Sequence, residues 1–500
     1  MGFETERRLQ DRRPTVLIAF LNRWLPLALV VLAAFALRVH GLARRPMHAD
    51  EANQAVKLGE LIESGRYAFD ARDHHGPTLY YAAWPMAWLR GQHTLAALDE
   101  TTVRLVPAIA GTIGVLLLAV LAGGAVRREA PGLPWPAVVA AAFLAVSPPA
   151  VYYSRYFVQE TLLVTFLLGV LVCAQRWWWT GRGAWAIGAG VCAGLMLATK
   201  ETALLFLFAA AVAAAASGGV GRKPALGQIA VAGAVAIGVA ALLYSSFGTH
   251  VAGVRDALAA LGHGLRRATG ESGQEKPWWY YARLFGWQRS GGVVFEQLAL
   301  AGLALAGAIV ALVSGQKFLR GAAGYVAVIG CVLSLTPYKT PWLAVQFVPG
   351  LALLAAGALA AVPHRWVAAG LGSAALATQC LQTQRVVFTY PADARNPYAY
   401  VHSSPDVLKF RALAEAALAR APQQPVRVIG EEYWPLPWYF RGLPGVGYWS
   451  MPPDACDGAL VIVSASQAAV VRARLHGAYR ESILGLRPGV LCVIFTPRSP

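Results

Sequence analysis

The sequence predicts an α-helical polytopic membrane protein of about eleven transmembrane helices with a small C-terminal α/β domain. Three observations predict it. The chain is 57% apolar and only 14% charged, against roughly 25% charged in soluble domains. Its charges gather in connections between apolar runs of roughly 18 or more residues, the length that crosses a hydrocarbon core about 30 Å thick. From about residue 383 onward the long apolar runs give way to short β-type runs.

At 500 residues the chain exceeds one ordinary soluble core. Backbone groups in lipid must satisfy one another, so the apolar runs are helices. They are expected at 22–40, 102–126, 135–150, 160–177, 183–199, 202–218, 226–246, 292–314, 319–336, 342–361 and 366–382. Arg127/Arg128, Arg176/Arg182, Arg222/Lys223, Lys317/Arg320 and Arg365, with Arg7, Arg8, Arg12 and Arg13, all fall on one side of these spans. The positive-inside bias makes that side cytoplasmic. An odd number of spans then places the C-terminal domain outside. The expected location is the inner (plasma) membrane, multi-pass, with a cytoplasmic N-terminus. The segment Met1 to Arg13 is too charged to open a cleaved signal, so the first apolar run reads as a retained signal-anchor.

The net charge of +17 sits in short loops and forms no interleaved basic and aromatic face. That argues against nucleic acid and for membrane lipid as a partner. No internal repeat is visible, which counts against transporters built from paired halves. Cys173, Cys192, Cys331 and Cys380 fall in apolar runs and read as small core residues, whereas Cys456 and Cys492 lie in the tail, where an oxidising compartment would allow a disulfide.

The division is a transmembrane unit over 1–382 and a soluble extracytoplasmic α/β domain over 383–500. Within the first unit, 41–101 forms a long first outer loop and 247–291 a second, which carries Trp278, Trp279, Tyr280 and Tyr281. In the tail, Ser404-Pro405-Asp406 predicts a helix cap with proline at the first helical position. Strands are expected at Val426–Ile429, Leu460–Ser464 and Leu491–Phe495, and Tyr390 to Tyr400 is the linker.

Chemistry concentrates in the outer connections. The first loop reads His48-Ala49-Asp50-Glu51-Ala52, then an apolar stripe at Ala52, Ala55, Val56, Leu58, Leu61 and Ile62. That spacing predicts a helix lying along the membrane surface with Asp50 and Glu51 at its N-terminus. Asp50 can cap such a helix, and a cap and a catalytic carboxylate are not exclusive. Asp70, His74 and His75 follow, before Gly76-Pro77 opens a short helix from Thr78 to Leu89. Adjacent histidines seldom coordinate one metal together, so this pair reads first as polar surface. Three outer turns bring Arg155, Lys200 and Lys339 to the membrane face, beside Glu160, Glu201 and Tyr338. Together they describe a cavity acidic on one wall and basic on another. Such a cavity suits a phosphate-bearing lipid, with cations on the phosphate and a carboxylate for an incoming hydroxyl.

These residues resemble a known family. His48-Ala49-Asp50-Glu51-Ala52, Gly65-Arg66-Tyr67 with Phe69-Asp70, His75-Gly76-Pro77 and Arg104-Leu105-Val106-Pro107 are similar to the first loop of the flippase-activity-associated proteins. That family sits within the dolichyl-phosphate-mannose protein mannosyltransferase-like, GT-C type membrane glycosyltransferases. Ser154-Arg155-Tyr156 with Glu160, Lys200-Glu201, Tyr338-Lys339-Thr340-Pro341-Trp342 and Trp434-Pro435-Leu436-Pro437-Trp438-Tyr439 extend the resemblance over nearly the whole chain. It implies a GT-C-like fold and a polyprenyl-phosphate-linked sugar as donor. It implies Asp50, with Glu51 beside it, as the catalytic carboxylates, and Arg155, Lys200 and Lys339 on the donor phosphate. The expectation is an inverting hexosyltransferase acting on a glycan, lipid or protein hydroxyl at the outer face. A lipid-linked sugar flippase, or a flippase-associated protein without transfer, is the alternative, and an assembly partner is a third. A divalent metal bridging Asp50, Glu160 and the donor phosphate is left open.

Overall fold

The structure, a computed structural model, describes residues 24–71, 75–126, 134–217, 225–269 and 275–498. His74, Arg127, Arg128, Arg222, Lys223 and the N-terminal arginines lie outside the described residues.

A helix stands in each stretch where the sequence predicts one. Helix α1 (Trp24–Val39) leads into the first long loop. That loop carries α2 (Ala49–Ser64) and α3 (Thr78–Leu89). The bundle continues through α4 (Glu100–Val126), α5 (Trp135–Val146), the short α6 (Pro148–Tyr153), α7 (Glu160–Thr180), α8 (Gly183–Leu197), α9 (Ala203–Ala216) and α10 (Leu226–Tyr244). The second long loop holds α11 (Ala252–Thr269), α12 (Tyr280–Phe285) and the antiparallel pair β1 (Trp287–Ser290) and β2 (Val293–Glu296). Helices α13 (Leu298–Ser314), α14 (Lys317–Leu335), α15 (Val348–Ala360) and α16 (Arg365–Thr383) complete the bundle. By length and composition five spans can cross a membrane: Glu100–Ala125, Glu160–Thr180, Leu226–Tyr244, Lys317–Leu335 and Pro341–Ala360. Helices α1, α5, α8, α9 and α13 are apolar but shorter. Helix α16 belongs to neither group, because its inward face carries Gln379, Gln382 and Thr383.

Three boundaries differ from expectation, each for a local reason. The helix expected from 292 starts at Leu298, because Gly291 and Gly292, both at positive φ, turn Val293–Glu296 back onto Trp287–Ser290 as a hairpin. The stretch 135–150 breaks at Ser147, where Pro148 opens α6. A 3-10 turn, Pro341–Gln346, precedes α15. Cys331 and Cys380 are exposed on the bundle surface rather than packed in the core.

Helices α8 and α10 meet backbone to backbone. A Cβ on Gly190 would sit 2.5 Å from the Ala232 carbonyl oxygen, and one on Gly194 would sit 2.6 Å from that of Ala236. This is the small-residue crossing that lets membrane helices approach closely.

The tail contains α17 (Val407–Arg420), β3 (Val426–Ile429), α18 (Leu436–Tyr439), β4 (Val446–Trp449), β5 (Leu460–Ser464), α19 (Ala468–Ala473), β6 (Tyr479–Arg487) and β7 (Val490–Pro497). The sheet order is β4-β3-β5-β7-β6, with β4, β3 and β5 parallel and β7 antiparallel to both neighbours. The three expected strands are present. Strands β4 and β6 are additional: one is four residues interrupted by Gly447, the other an edge strand rich in polar residues. Pro405 precedes the N-cap Asp406 instead of occupying the first turn, and Asp406 accepts from the Gly485 amide at 3.1 Å. Cys456 packs with Val461, Val463 and Phe495 on the outer face of the sheet, Cys492 with Ile494 and Leu486 on the inner, and both are free thiols.

The inner face of the sheet shares a core with the first long loop. Ala52, Ala55, Leu58 and Leu61 of α2 are fully buried in the cluster that holds Phe410, Leu436, Trp438 and Ile462. The α2 stripe therefore faces protein, not lipid, which corrects the surface-lying reading. Trp438 Nε1 donates to Glu100 Oε1 at 2.7 Å, and Tyr439 Oη accepts from the Met47 amide at 2.9 Å.

Replacing Gly194 by leucine is expected to cost about 1–3 kcal/mol by forcing α8 off α10, read as a lower melting temperature in lipid nanodiscs. Gly233→Leu and Gly238→Leu, on the open side of α10, should leave the melting temperature unchanged.

Candidate active site

The site is built around the first turn of α2. His48 is its N-cap: the Asp50 amide donates to His48 Nδ1 at 3.1 Å, and Glu51 reaches back to the His48 amide at 3.0 Å. This reciprocal capping box corrects the expectation that Asp50 caps the helix. With Nδ1 accepting, His48 Nε2 donates to the Tyr400 carbonyl at 3.0 Å.

Glu51 is wholly buried and completely engaged. Arg45 grips its two oxygens at 2.8 and 3.1 Å. Arg104, from α4, does so at 2.8 and 3.0 Å. The Phe157 amide adds a bond at 3.0 Å. Burial alone would raise this carboxyl; the Arg104 and Arg45 charges override it and hold Glu51 well below the usual carboxylate range. Both arginines then reach onward. Arg104 ties the carbonyls of Leu42, Arg45 and Pro46 at 2.6, 2.9 and 3.1 Å. Arg45 donates to the Arg155 carbonyl at 2.8 Å and to His402 Nε2 at 2.7 Å, and lies 3.5 Å over the Tyr156 ring. Glu51, expected as a second carboxylate for chemistry, has no lone pair left for a substrate.

Asp50 has the opposite environment. Its side chain is 54% exposed, and its Oδ2 lies 3.8 Å from His48 Nδ1. The indole of Trp342 closes the same space, 6.4 Å from the His48 ring and 5.8 Å from Tyr400, with Lys200 Nζ at 5.9 Å. Burial, then Tyr338 and Asp50, push the Tyr400 phenol up to about 12. Lys200 is paired with Glu160, and burial is outweighed by that carboxylate, so the ammonium is held charged. Beside it His75 Nδ1 lies 3.2 Å from Glu201. Gly76 makes this approach feasible: its amide donates to the Thr199 carbonyl at 3.2 Å, and any Cβ there would strike the Ala198 carbonyl.

The structure thus gathers His48, Asp50, Tyr338, Lys200 and Glu160, with His75 and Glu201 alongside. Two expected phosphate ligands are committed elsewhere. Arg155 donates to the carbonyls of Leu37, Arg38 and Gly41 at 3.1, 3.0 and 3.3 Å, closing the end of α1. Lys339 donates to the Lys276 carbonyl at 3.1 Å and to that of Thr336. Asp70 is exposed on the loop surface, and His74 lies outside the described residues. Glu160 pairs with Lys200, and among the described residues no group of three or more His, Cys, Asp or Glu side chains could hold a metal ion.

Sequence reasoning missed Arg45, His402, Tyr400 and Trp342 as parts of this site. A buried carboxylate requires buried cations, so the arginines flanking Glu51 at 45 and 104 were the available signal. Nothing in the sequence marks the tail residues 400–402 as neighbours of residue 48.

A helical membrane bundle with helices in its long first loop leading to such a site, and a small tail sheet clamped over them, defines a GT-C fold. Comparison with solved structures gives the same answer. The chain superposes on ArnT from Cupriavidus metallidurans bound to undecaprenyl phosphate with a TM-score of 0.66 at 15% identity, covering 94% of this chain and 97% of that one. It superposes on the oligosaccharyltransferase AglB from Archaeoglobus fulgidus, in complex with an inhibitory peptide and a dolichol-phosphate, with a TM-score of 0.52 at 14% identity, covering 88% and 69%. The family described as dolichyl-phosphate-mannose-protein mannosyltransferase matches residues 74–245. No curated protein matches the sequence.

Glu51→Ala leaves two arginines buried without their anion, and a loss of about 3–5 kcal/mol is expected, read by thermal unfolding. His402 supplies a pH test. Burial, then Arg45 and His48, hold its pKa well below 6.5, with only Glu51 and the Ser403 carbonyl acting the other way. The unfolded chain therefore binds a proton near pH 6.5 that the folded chain refuses, and stability falls as pH drops below that value. His402→Gln should flatten that part of the pH–stability profile.

Proposed function

We propose that this chain is a membrane glycosyltransferase that moves a sugar from a polyprenyl-phosphate donor to a hydroxyl acceptor at the outer membrane face. The observation that carries the reading is the contrast between Asp50 and Glu51. One carboxylate is exposed and uncommitted, and the next is anchored by two arginines that fix its neighbour's position. Such a rigid support is what a general base needs, because its oxygen must be held within hydrogen-bond reach of the proton it removes.

In this reading the acceptor hydroxyl gives its proton to Asp50 as its oxygen attacks the anomeric carbon from the face opposite the phosphate. The anomeric carbon–oxygen bond breaks, the electron pair leaves with the polyprenyl phosphate, and the configuration inverts. Lys200, shared with Glu160, meets the charge that grows on the leaving phosphate. Glu51 positions Asp50 through the backbone of α2. Arg155 and Lys339 hold the backbone around the phosphate. Solved structures of this fold that hold undecaprenyl phosphate and dolichol-phosphate support the donor class. Topology supports the side: nucleotide sugars are cytoplasmic, whereas a lipid-linked sugar can be presented outside, where eleven spans and basic inner loops would place Asp50 and the tail.

The test uses purified protein in lipid with radiolabelled polyprenyl-phosphate sugars and a membrane extract as acceptor source. Asp50→Asn should lower transfer by about a hundredfold or more while leaving the melting temperature unchanged. Equal transfer by both proteins would remove Asp50 as the base. Translocation of the lipid-linked sugar without transfer by either would favour the flippase reading.

A further inference from the structure

The second long loop opens with a helix that the reaction above does not use. Helix α10, which leads into it, is long and apolar enough to cross a membrane, and only a small share of it lies inside the protein. Ile229, Val231, Ile237 and Leu242 are exposed along it. After Tyr244 the chain reverses through Ser246, Phe247 and Gly248, all at positive φ. Helix α11 then crosses the end of α10. It packs there through Gly253, where a Cβ would lie 2.2 Å from the Tyr244 carbonyl oxygen. Helix α11 therefore begins at the level where a lipid-facing helix stops.

Four different sides succeed one another around α11, because each residue is turned about 100° from the last. Gly253, Ala257 and Ala260 face the protein, and Ala260 is buried in the core that the first long loop shares with the tail sheet. About a quarter turn on, Leu261, Val254 and Leu258 form an apolar stripe that Val251 continues just before the helix. Leu258 is 69% exposed and Val251 71%. Arg255 and Arg266 come next, on the side away from the protein, and both are exposed. Asp256, the one acidic residue of the helix, lies opposite the stripe.

This order fits a helix lying at the rim of the bundle in the surface layer of a bilayer. The stripe enters the acyl chains, the arginines reach sideways at the depth of the phosphates, and the carboxylate points to water. The stripe also continues the exposed apolar surface of α10 through Leu242 and Phe247, which favours lipid over a second protein as its cover. Anionic head groups complement the two arginines. At the far end of α11 a Cβ on Gly264 would lie 3.7 Å from Glu201 Cβ, and Glu201 is the partner of His75. The protein-facing side of this helix thus reaches the edge of the candidate site.

We propose that α11 is seated in the bilayer surface, with Leu258 and Leu261 among the acyl chains and Arg255 and Arg266 on the phosphates of anionic phospholipids. This assignment stands whether or not the chain transfers a sugar. The experiment uses the full chain in nanodiscs doped with a phospholipid that carries a diazirine at the top of one acyl chain, either phosphatidylcholine or phosphatidylglycerol. After irradiation, lipid adducts on the α11 peptide are counted by mass spectrometry. Adducts at Leu258 and Leu261 are expected, in higher yield from the phosphatidylglycerol probe. Leu258→Asp should lower the yield about tenfold or more, whereas Ala259→Asp, the same charge one exposed residue away, should leave it unchanged. Arg255→Gln/Arg266→Gln should remove the excess given by phosphatidylglycerol and keep the yield from phosphatidylcholine. Absence of adducts on α11 beside labelled α10, or equal effects of the two aspartates, would overturn the seating. Equal yields from both probes in the wild type would overturn the anionic head-group assignment.

Discussion

One buried carboxylate organises the end of the bundle where the first long loop and the tail meet. Glu51 collects Arg45 and Arg104, and each arginine uses its remaining donors on backbone carbonyls that no helix or sheet satisfies. Charge burial of this kind is unfavourable unless every partner is present. Here the partners come from the segment before α2, from α4, from the segment after α6 and from the tail, so the ion cluster works as a keystone for elements far apart in sequence. Any of them out of place would strand a charge in the interior.

This arrangement separates two roles that adjacent acidic residues are easily assumed to share. The helical repeat places Glu51 inward and Asp50 outward, because neighbours on a helix differ by about a third of a turn. The sequence pair looks symmetric; the environments are opposite. Rigid support next to an exposed functional group is a recurring solution where geometry must be held to fractions of an ångström.

The membrane fold was legible because lipid imposes a strong rule on composition, and the helices stand where apolar runs do. Strands such as Leu460–Ser464 are legible as short apolar runs rich in β-branched residues. The hairpin at Gly291-Gly292 has turn chemistry in its sequence, but the apolar run that follows it hides the turn inside a helix-like pattern. Within the site, the acidic pair and Lys200 could be found from order along the loops. Their true partners could not. Whether Arg155 faces a phosphate or the end of α1 depends on where α1 stops, and the contact between His48 and residues 400–402 spans more than half the chain. Long-range pairing of that kind leaves no mark in local pattern.

The strap from Tyr400 to His402 also has a meaning for how the molecule comes to exist. Arg45 meets His402 across 357 positions of sequence. During synthesis the first outer loop emerges early, with Glu51 and Arg104 soon available. It must then wait, with one face of α2 uncovered, until nearly four hundred residues have been threaded and the tail arrives. Closing so wide a loop is slow compared with pairing neighbours. The centre that holds Asp50 is therefore among the last parts of the chain to be assembled, and an incomplete chain carries no finished site.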